Sequence, residues 1–346
     1  MDIYKNTSLK EYNTFRVDVN AKYLALPKSI EEIREILNEY RNEKILLLGG
    51  GSNILFTKDW DGLVIKPELK GINIVNEDEE KITLEVASGE VWDDFVRYTV
   101  AKDYAGIESM VMIPGTVGGG SSQNIGAYGE EICNVIEEIK VIDIETLEEK
   151  IFKTGECGYG YRKSNFKNIW MNRYIITSTV FQLEKNAEEY KSKYSERAGR
   201  YTSLKEELAV FGKEPYSIEN IMEAVIEKRK KILPLVEEYG TAGSFFANPV
   251  ITKQKFNELS EIIEGLPSYP ADTEEYVKIP AGKLLEELGW KGKKIGNVGT
   301  FEKHALCVIT NMNASGEEVL DYIKQMQESV KENYGVELKP EVNIIL

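Results

Sequence analysis

The stretch Ile113-Pro114-Gly115-Thr116-Val117-Gly118-Gly119-Gly120-Ser121-Ser122-Gln123-Asn124-Ile125-Gly126-Ala127-Tyr128-Gly129 holds six glycines in seventeen residues and no charge. Glycine in regular structure costs roughly 0.5–1 kcal/mol relative to alanine, so this density needs a reason. A long surface loop is one reading. A backbone against which a bulky ligand lies is the other, and the uncharged, partly apolar content favours it. A second glycine cluster, Gly49-Gly50-Gly51-Ser52-Asn53, follows the apolar run Lys44–Leu48. A strand running into glycines lets backbone N–H groups approach an anion closely. It is not a P-loop, because Gly-Lys-Ser/Thr is missing. It is not a Rossmann fingerprint either, because the third glycine would fall at Ile54.

The rest of the chain limits the chemistry. Its 346 residues suffice for two or three domains. With 58 acidic and 43 basic residues the net charge is −15, which argues against nucleic acid and against anionic membranes as partners. His304 is the sole histidine, and Cys133, Cys157 and Cys307 form no CxxC pair, so no metal site is expected. The low, odd cysteine count suits a reducing compartment. The polar start Met1–Asn13 is unlike a signal peptide, and no apolar run approaches the ~18 residues of a membrane span. A cytoplasmic location is expected.

Periodicity marks the elements. Helices are expected over 29–42, with Ser29 and Glu32 as a capping box, and from Trp92 to near Gly106. Further helices are expected from Ser217 to the basic run Lys228-Arg229-Lys230-Lys231, and over 253–264, 280–288 and 316–334. Strands are expected at 44–48, 62–66, 81–88, 174–183 and 305–310, with a hairpin at 138–153. The basic run complements a helix dipole or supplies a local positive field for a phosphorylated ligand. Lys291, Lys293 and Lys294 form a second such cluster. Three further segments could carry chemistry: Gly160-Tyr161-Arg162, Gly243-Ser244-Phe245-Phe246-Ala247-Asn248-Pro249, and Pro340-Glu341-Val342. Taken singly, each also reads as a surface charge, core packing or an exposed strand face. Ser244 lacks the GxSxG elbow of a hydrolase.

In order and spacing these segments resemble one family, the UDP-N-acetylenolpyruvoylglucosamine reductases, in its longer form. The resemblance includes Asn13-Thr14-Phe15, Gly49–Phe56, Ser88-Gly89-Glu90-Val91-Trp92, Ile113-Pro114-Gly115 and Gln123–Gly129. It continues through Gly160-Tyr161-Arg162, Gly243–Pro249, Pro280-Ala281-Gly282, His304-Ala305 and Pro340-Glu341-Val342, from residue 13 to residue 343.

The resemblance implies an α+β, three-domain flavoprotein. Residues 1–72, rejoined by a C-terminal strand in 337–346, and residues 73–233 would clasp FAD. Residues 234–336 would form a separate α+β substrate domain. It implies NADPH-dependent, non-covalent-FAD reduction of the enolpyruvyl ether of UDP-N-acetylglucosamine to UDP-N-acetylmuramate, for peptidoglycan synthesis, by a monomer. Gly49, Gly50, Gly51, Ser52, Asn53, Ile113, Pro114, Gly115, Gly118, Gly119, Asn124, Gly126, Ala127 and Tyr128 would hold the cofactor. Arg162, Ser244 and Glu341 would be catalytic: hydride passes from flavin N5 to enol C3, Arg162 with Glu341 stabilises the developing enolate, and Ser244 gives a proton to C2. Tyr161, Tyr194, Lys231, Asn248 and Lys291 would contact substrate, with Tyr190 or Tyr201 as alternatives to Tyr194.

The chain departs from the family pattern at Ile232, where a lysine is usual, at Asn343, where an arginine is frequent, and at the polar Ser121-Ser122. Two rival readings are a non-catalytic UDP-sugar- or flavin-binding homologue and another oxidase on the same flavin-binding fold.

Overall fold

The structure is a computed structural model, and it describes residues 2–185, 202–211, 216–271 and 273–346. The chain divides into two compact units. The first comprises residues 1–7, 21–50 and 60–229, and the second residues 8–20, 51–59 and 230–346. Residues 8–20 and 51–59, expected within the first FAD-binding part, thus group with the second unit.

The first unit holds two sheets. In one, the strands Asn20–Ala25 and Ile45–Leu47 both run parallel to Trp60–Ile65. The helix Ile30–Glu39 covers it with Ile33, Ile36 and Leu37, each at most 3% exposed. Ser29 Oγ accepts the Glu32 N–H as expected, but the Glu32 carboxylate takes the N–H of Lys28, so the capping box is only half formed. The other sheet is antiparallel, in the order Glu149–Lys153, Ile136–Asp143, Tyr174–Glu184, Lys81–Ala87, Ile72–Glu77. The expected hairpin and long strand are therefore present. The alternating Ile82, Leu84 and Val86 are fully buried and share one core with Trp92, Phe95, Val96 and the apolar face of Ile218–Ile232.

The glycine-dense segment contains a helix, Val117–Gln123, where propensity alone opposes one. Thr116 caps it by accepting the Gly119 N–H at 3.3 Å. Its glycines are explained by close packing: a Cβ on Gly118 would lie 2.7 Å from Ser88 Cβ, and one on Gly120 would lie 2.8 Å from the Ile125 side chain.

In the second unit, Gly240–Ser244, His304–Thr310, Val298–Phe301 and Lys294–Ile295 form an antiparallel sheet. The helices Ala281–Glu287 and Gly316–Tyr334 accompany it, the latter with the complete capping box of Ser315 and Glu318 and Gly335 at its end. The C-terminal strand Asn343–Ile345 pairs in parallel with Ile54–Phe56.

Candidate active site

In the first unit, the strand Ile45–Leu47 delivers the chain to Gly49 and Gly50, which meet Thr116 and Gly115 of the 113–129 segment. A Cβ on Gly50 would stand 2.5 Å from Gly115 Cα, and one on Gly49 3.0 Å from Thr116 Oγ1. Gly89 is equally confined, its Cβ position lying 2.6 Å from Leu69 O. The two loops are glycine-rich because backbone packs directly on backbone. Among the described residues, the N–H groups of Gly49, Gly50 and Gly115 have no hydrogen-bond partner.

Gly50 and Gly115 line a cleft of about 710 Å³ together with Gly89, Val91, Thr116, Glu68 and three lysines, Lys28, Lys66 and Lys70. Each lysine has a carboxylate partner: Asp2 at 2.9 Å, Glu68 at 3.1 Å and Glu90 at 3.3 Å respectively. Asp2 holds the Lys28 ammonium above its ordinary pKa, so that cation is fully charged at neutral pH. The open backbone N–H groups of Gly50 and Gly115, beside three carboxylate-paired ammonium groups, are of a kind that could hold a diphosphate. The three lysines were missed in the sequence. Each is unremarkable alone, and only the fold gathers them.

The remaining residues of the glycine-dense segment serve varied ends. Pro114 is exposed, while Gly118 is buried and Gly119 has room for a Cβ. Ile113, Ala127 and Tyr128 pack against the core, and burial raises the Tyr128 phenol. Gly126 is buried against Glu130. Asn124 is fully buried and left-handed, with both amide hydrogens given to protein acceptors, Gly160 O at 2.8 Å and Glu131 Oε2 at 2.9 Å.

Gly160 and Lys163 close a two-residue turn that carries Tyr161 and Arg162. Tyr161 is 54% exposed. Arg162 is half-buried at φ +53°, with its guanidinium donating to Gly126 O at 2.8 Å and lying over the Tyr161 ring. Met112, Asn124 and Tyr128 are also left-handed. Such costly backbone states gather where a site needs a fixed geometry.

In the basic run, Lys228 pairs with the buried Glu207 at 3.2 Å, and Arg229 donates to Met112 O. Lys231 is exposed in the last helical turn. Tyr194, with Tyr190 and Tyr201, lies outside the described residues.

The second unit gathers Ser52, Asn53, Ser244 and Glu341. Gly243 is at φ +72°, and the pairing of Gly240–Ser244 with His304–Thr310 is irregular between Thr241 and Ser244. Such a bulge re-aims the side chain that follows it, here Ser244, which is partly exposed. The next residue, Phe245, accepts the Glu341 N–H at 2.8 Å, and Asn53 Nδ2 donates to Glu341 O at 3.3 Å. Backbone bonds thus fix Glu341 beside the serine segment and the 51–53 loop. Gly51, at φ +66°, leaves no room for a Cβ against Tyr12. Asn248 Oδ1 accepts the Ala281 N–H at 3.0 Å, and Lys291 pairs with Glu286 at 2.7 Å. Burial lowers the pKa of His304, whose Nδ1 accepts the Leu306 N–H.

Among the described residues no cluster of His, Cys, Asp or Glu could hold a metal ion, and no helix is long and apolar enough to cross a membrane. A diphosphate nest with open backbone N–H groups and flanking cations, beside an uncharged glycine segment, fits a flavin dinucleotide. The class is that of FAD-binding oxidoreductases, and residues 21–146 match the FAD binding domain family.

Residues 234–345 match a narrower one, the C-terminal domain of UDP-N-acetylenolpyruvoylglucosamine reductase. The chain is 40% identical over 345 residues to the UDP-N-acetylenolpyruvoylglucosamine reductase of Flavobacterium johnsoniae, covering 100% of both chains. It is 35% identical to that of Bacteroides fragilis, over 98% of each. The solved structure of the Thermus caldophilus reductase superposes with a TM-score of 0.68 at 21% identity, covering 100% of this chain and 98% of that one, which shows the shared fold. The chain belongs to the UDP-N-acetylenolpyruvoylglucosamine reductase family.

Proposed function

We propose that this chain reduces the enolpyruvyl ether of UDP-N-acetylglucosamine to UDP-N-acetylmuramate, a step of peptidoglycan precursor synthesis. The observation that carries the reading is the cleft lined by Gly50 and Gly115, whose N–H groups are open, together with Lys28, Lys66 and Lys70. It suits the diphosphate of FAD in a chain whose net charge is −15. FAD, when bound there, supplies hydride transfer, with NADPH as the reductant.

The protein's own residues supply the rest. Arg162 faces the substrate carboxylate and, with Glu341, stabilises the charge that develops next to it, the kind of preorganised electrostatics that dominates many rate enhancements. Ser244 gives its hydroxyl proton to C2 of the enolpyruvyl group. Tyr161, Lys231, Asn248 and Lys291 bind the sugar nucleotide, and a tyrosine at 190, 194 or 201 closes over it. In this reading residues 1–72, with the C-terminal strand in 337–346, and residues 73–233 would clasp FAD, and residues 234–336 would form the substrate domain. The protein works as a cytoplasmic monomer.

The test is NADPH oxidation with and without the enolpyruvyl sugar nucleotide. Oxidation that does not depend on that substrate would sink the reading. Ser244→Ala should leave NADPH bleaching of the flavin intact and slow reoxidation by the enolpyruvyl substrate by ~10²–10⁴-fold.

A further inference from the structure

Arg162 occupies an unfavourable backbone state at the tip of a very short turn. Gly160 N–H bonds Lys163 O and Lys163 N–H bonds Gly160 O, at 3.1 and 2.9 Å, and these two bonds close the turn with Arg162 as its second central residue, a position where some turns call for positive φ. A left-handed conformation costs an L-residue about 1–2 kcal/mol, so contacts from elsewhere must hold it.

One side chain, Asn124, ties the turn to the end of the helix Val117–Gln123. Asn124 ends the helix Val117–Gln123, in a left-handed conformation of its own at φ +49°. Its Nδ2 donates to Gly160 O at 2.8 Å and to Glu131 Oε2 at 2.9 Å, and its Oδ1 accepts the Cys133 N–H at 3.3 Å. Both amide hydrogens are spent inside the protein, and the residue is fully buried. The guanidinium of Arg162 in turn donates to Gly126 O at 2.8 Å and to Asn124 O at 3.5 Å. The flanks of the hairpin have separate ties: Tyr159 OH donates to Ser121 O and Ser164 Oγ to Ser122 O. At the tip, Lys167 Nζ donates to Arg162 O at 3.4 Å. Loss of the Asn124 amide would therefore release Gly160, the first residue of the turn, from the helix Val117–Gln123 while these other ties remain.

We infer that Asn124, oriented from behind by Glu131, is a positioning residue that sets the Arg162 guanidinium for the substrate. This rests on the reading of Arg162 as the group that meets the substrate carboxylate.

The experiment uses the FAD-loaded protein and measures the two half-reactions separately. Asn124→Gly keeps the left-handed backbone at no cost and removes the amide. It should reoxidise with the enolpyruvyl sugar nucleotide ~10–100-fold more slowly, the range a small misplacement produces, and slow reduction by NADPH by a clearly smaller factor. Hydrogen exchange in residues 160–163 should quicken, while that in 174–184 stays unchanged. Glu131→Gln keeps an acceptor for the amide and should stay within about threefold of wild type. Arg162→Lys cannot reproduce the planar donor fork and should be slow in reoxidation on its own. Adding Asn124→Gly to it should slow it less than about threefold further, a coupling that a merely structural role would not give.

Wild-type reoxidation in Asn124→Gly with a slow Arg162→Lys overturns the latch. Equal slowing of both half-reactions overturns it too. A fast Arg162→Lys overturns the reading of Arg162 itself. Should Asn124→Gly not fold, Asn124→Asp, which keeps the shape and the Cys133 acceptor but has no donor, must show the same selective slowing.

Discussion

At Gly50 a Cβ would lie 2.5 Å from Gly115 Cα, whereas at Gly243 no atom stands within 4 Å of where a Cβ would be. Both glycines sit in segments that bear on the candidate chemistry, one in each unit. Gly50 is required by crowding, because two loops meet backbone to backbone. Gly243 is required by its dihedral of φ +72°, which lets the strand bulge and present Ser244. The first constraint shapes a cleft out of main-chain atoms. The second aims a single side chain. One residue type thus encodes two different instructions, and substitutions can tell them apart.

The largest effect is expected at Gly50. In Gly50→Ala the new methyl meets backbone that has no rotamer to yield, so the cost should reach the upper end of overpacking, about 3 kcal/mol. If that falls on the loop arrangement that binds the cofactor, FAD affinity drops on the order of 100-fold, measurable by quenching of flavin fluorescence. Gly50→Asn should be no better than alanine. An alanine variant that bound FAD normally would break the crowding half of the comparison.

A destabilising change away from both loops sharpens the same test. Asp143 is fully buried and bonded to Lys150 at 2.8 Å and Arg173 at 3.4 Å. Burial would raise its pKa, but the Lys150 hydrogen bond and the Thr146 and Glu145 amides outweigh it and hold the carboxyl down at about 2. Its folded pKa lies below the unfolded ~3.9, so its stabilisation is present above pH ~4 and is lost as pH falls through the folded value. Asp143→Asn should cost ~2–3 kcal/mol at pH 7, with the difference shrinking toward pH 2. FAD affinity of the folded protein should not change. If it fell as in Gly50→Ala, the Gly50 effect would be one of general stability, not of cleft geometry.

Gly243 should respond more gently. Gly243→Ala has room for its methyl and loses only about 1–2 kcal/mol to the left-handed backbone. FAD binding should persist, and reoxidation by the enolpyruvyl substrate should slow by roughly tenfold as Ser244 shifts. Gly243→Asn should recover most of that rate, because asparagine tolerates this conformation. Rescue by asparagine at 243 and its failure at 50 together define the two uses of glycine.

How much of this was legible beforehand follows the same physical division. Caps and amphipathic faces act locally, so Ser315 with Glu318 and the apolar face of Ile218–Ile232 were readable from neighbouring letters. The strand Ile3–Ser8 was not, because it is mostly solvated and its residues are polar. The helix Val117–Gln123 was hidden by its own glycines, whose justification is Ser88 and Ile125 on other segments. Arg162, Ser244 and Glu341 are singled out by the order of motifs around them, and their proposed roles rest on that order. Lys28, Lys66, Lys70 and the amide role of Asn124 were not legible, since each depends on partners that only the fold assembles.

The smallest effect should come from those lysines, and it is the one that salt can separate. Lys70 is 56% exposed, donates to Gly89 O at 2.7 Å and pairs with Glu90. An exposed ammonium of this kind contributes ~0.2–1 kcal/mol, so Lys70→Ala should weaken FAD binding by no more than about fivefold. Its contribution is a screened charge, and at about 1 M salt, where the Debye length is near 3 Å, mutant and wild type should converge. The deficit of Gly50→Ala is steric and should survive the same salt. A Lys70→Ala deficit that persisted at high salt would mean the lysine shapes the cleft through its bond to Gly89 O, placing it with the glycines as a geometric element.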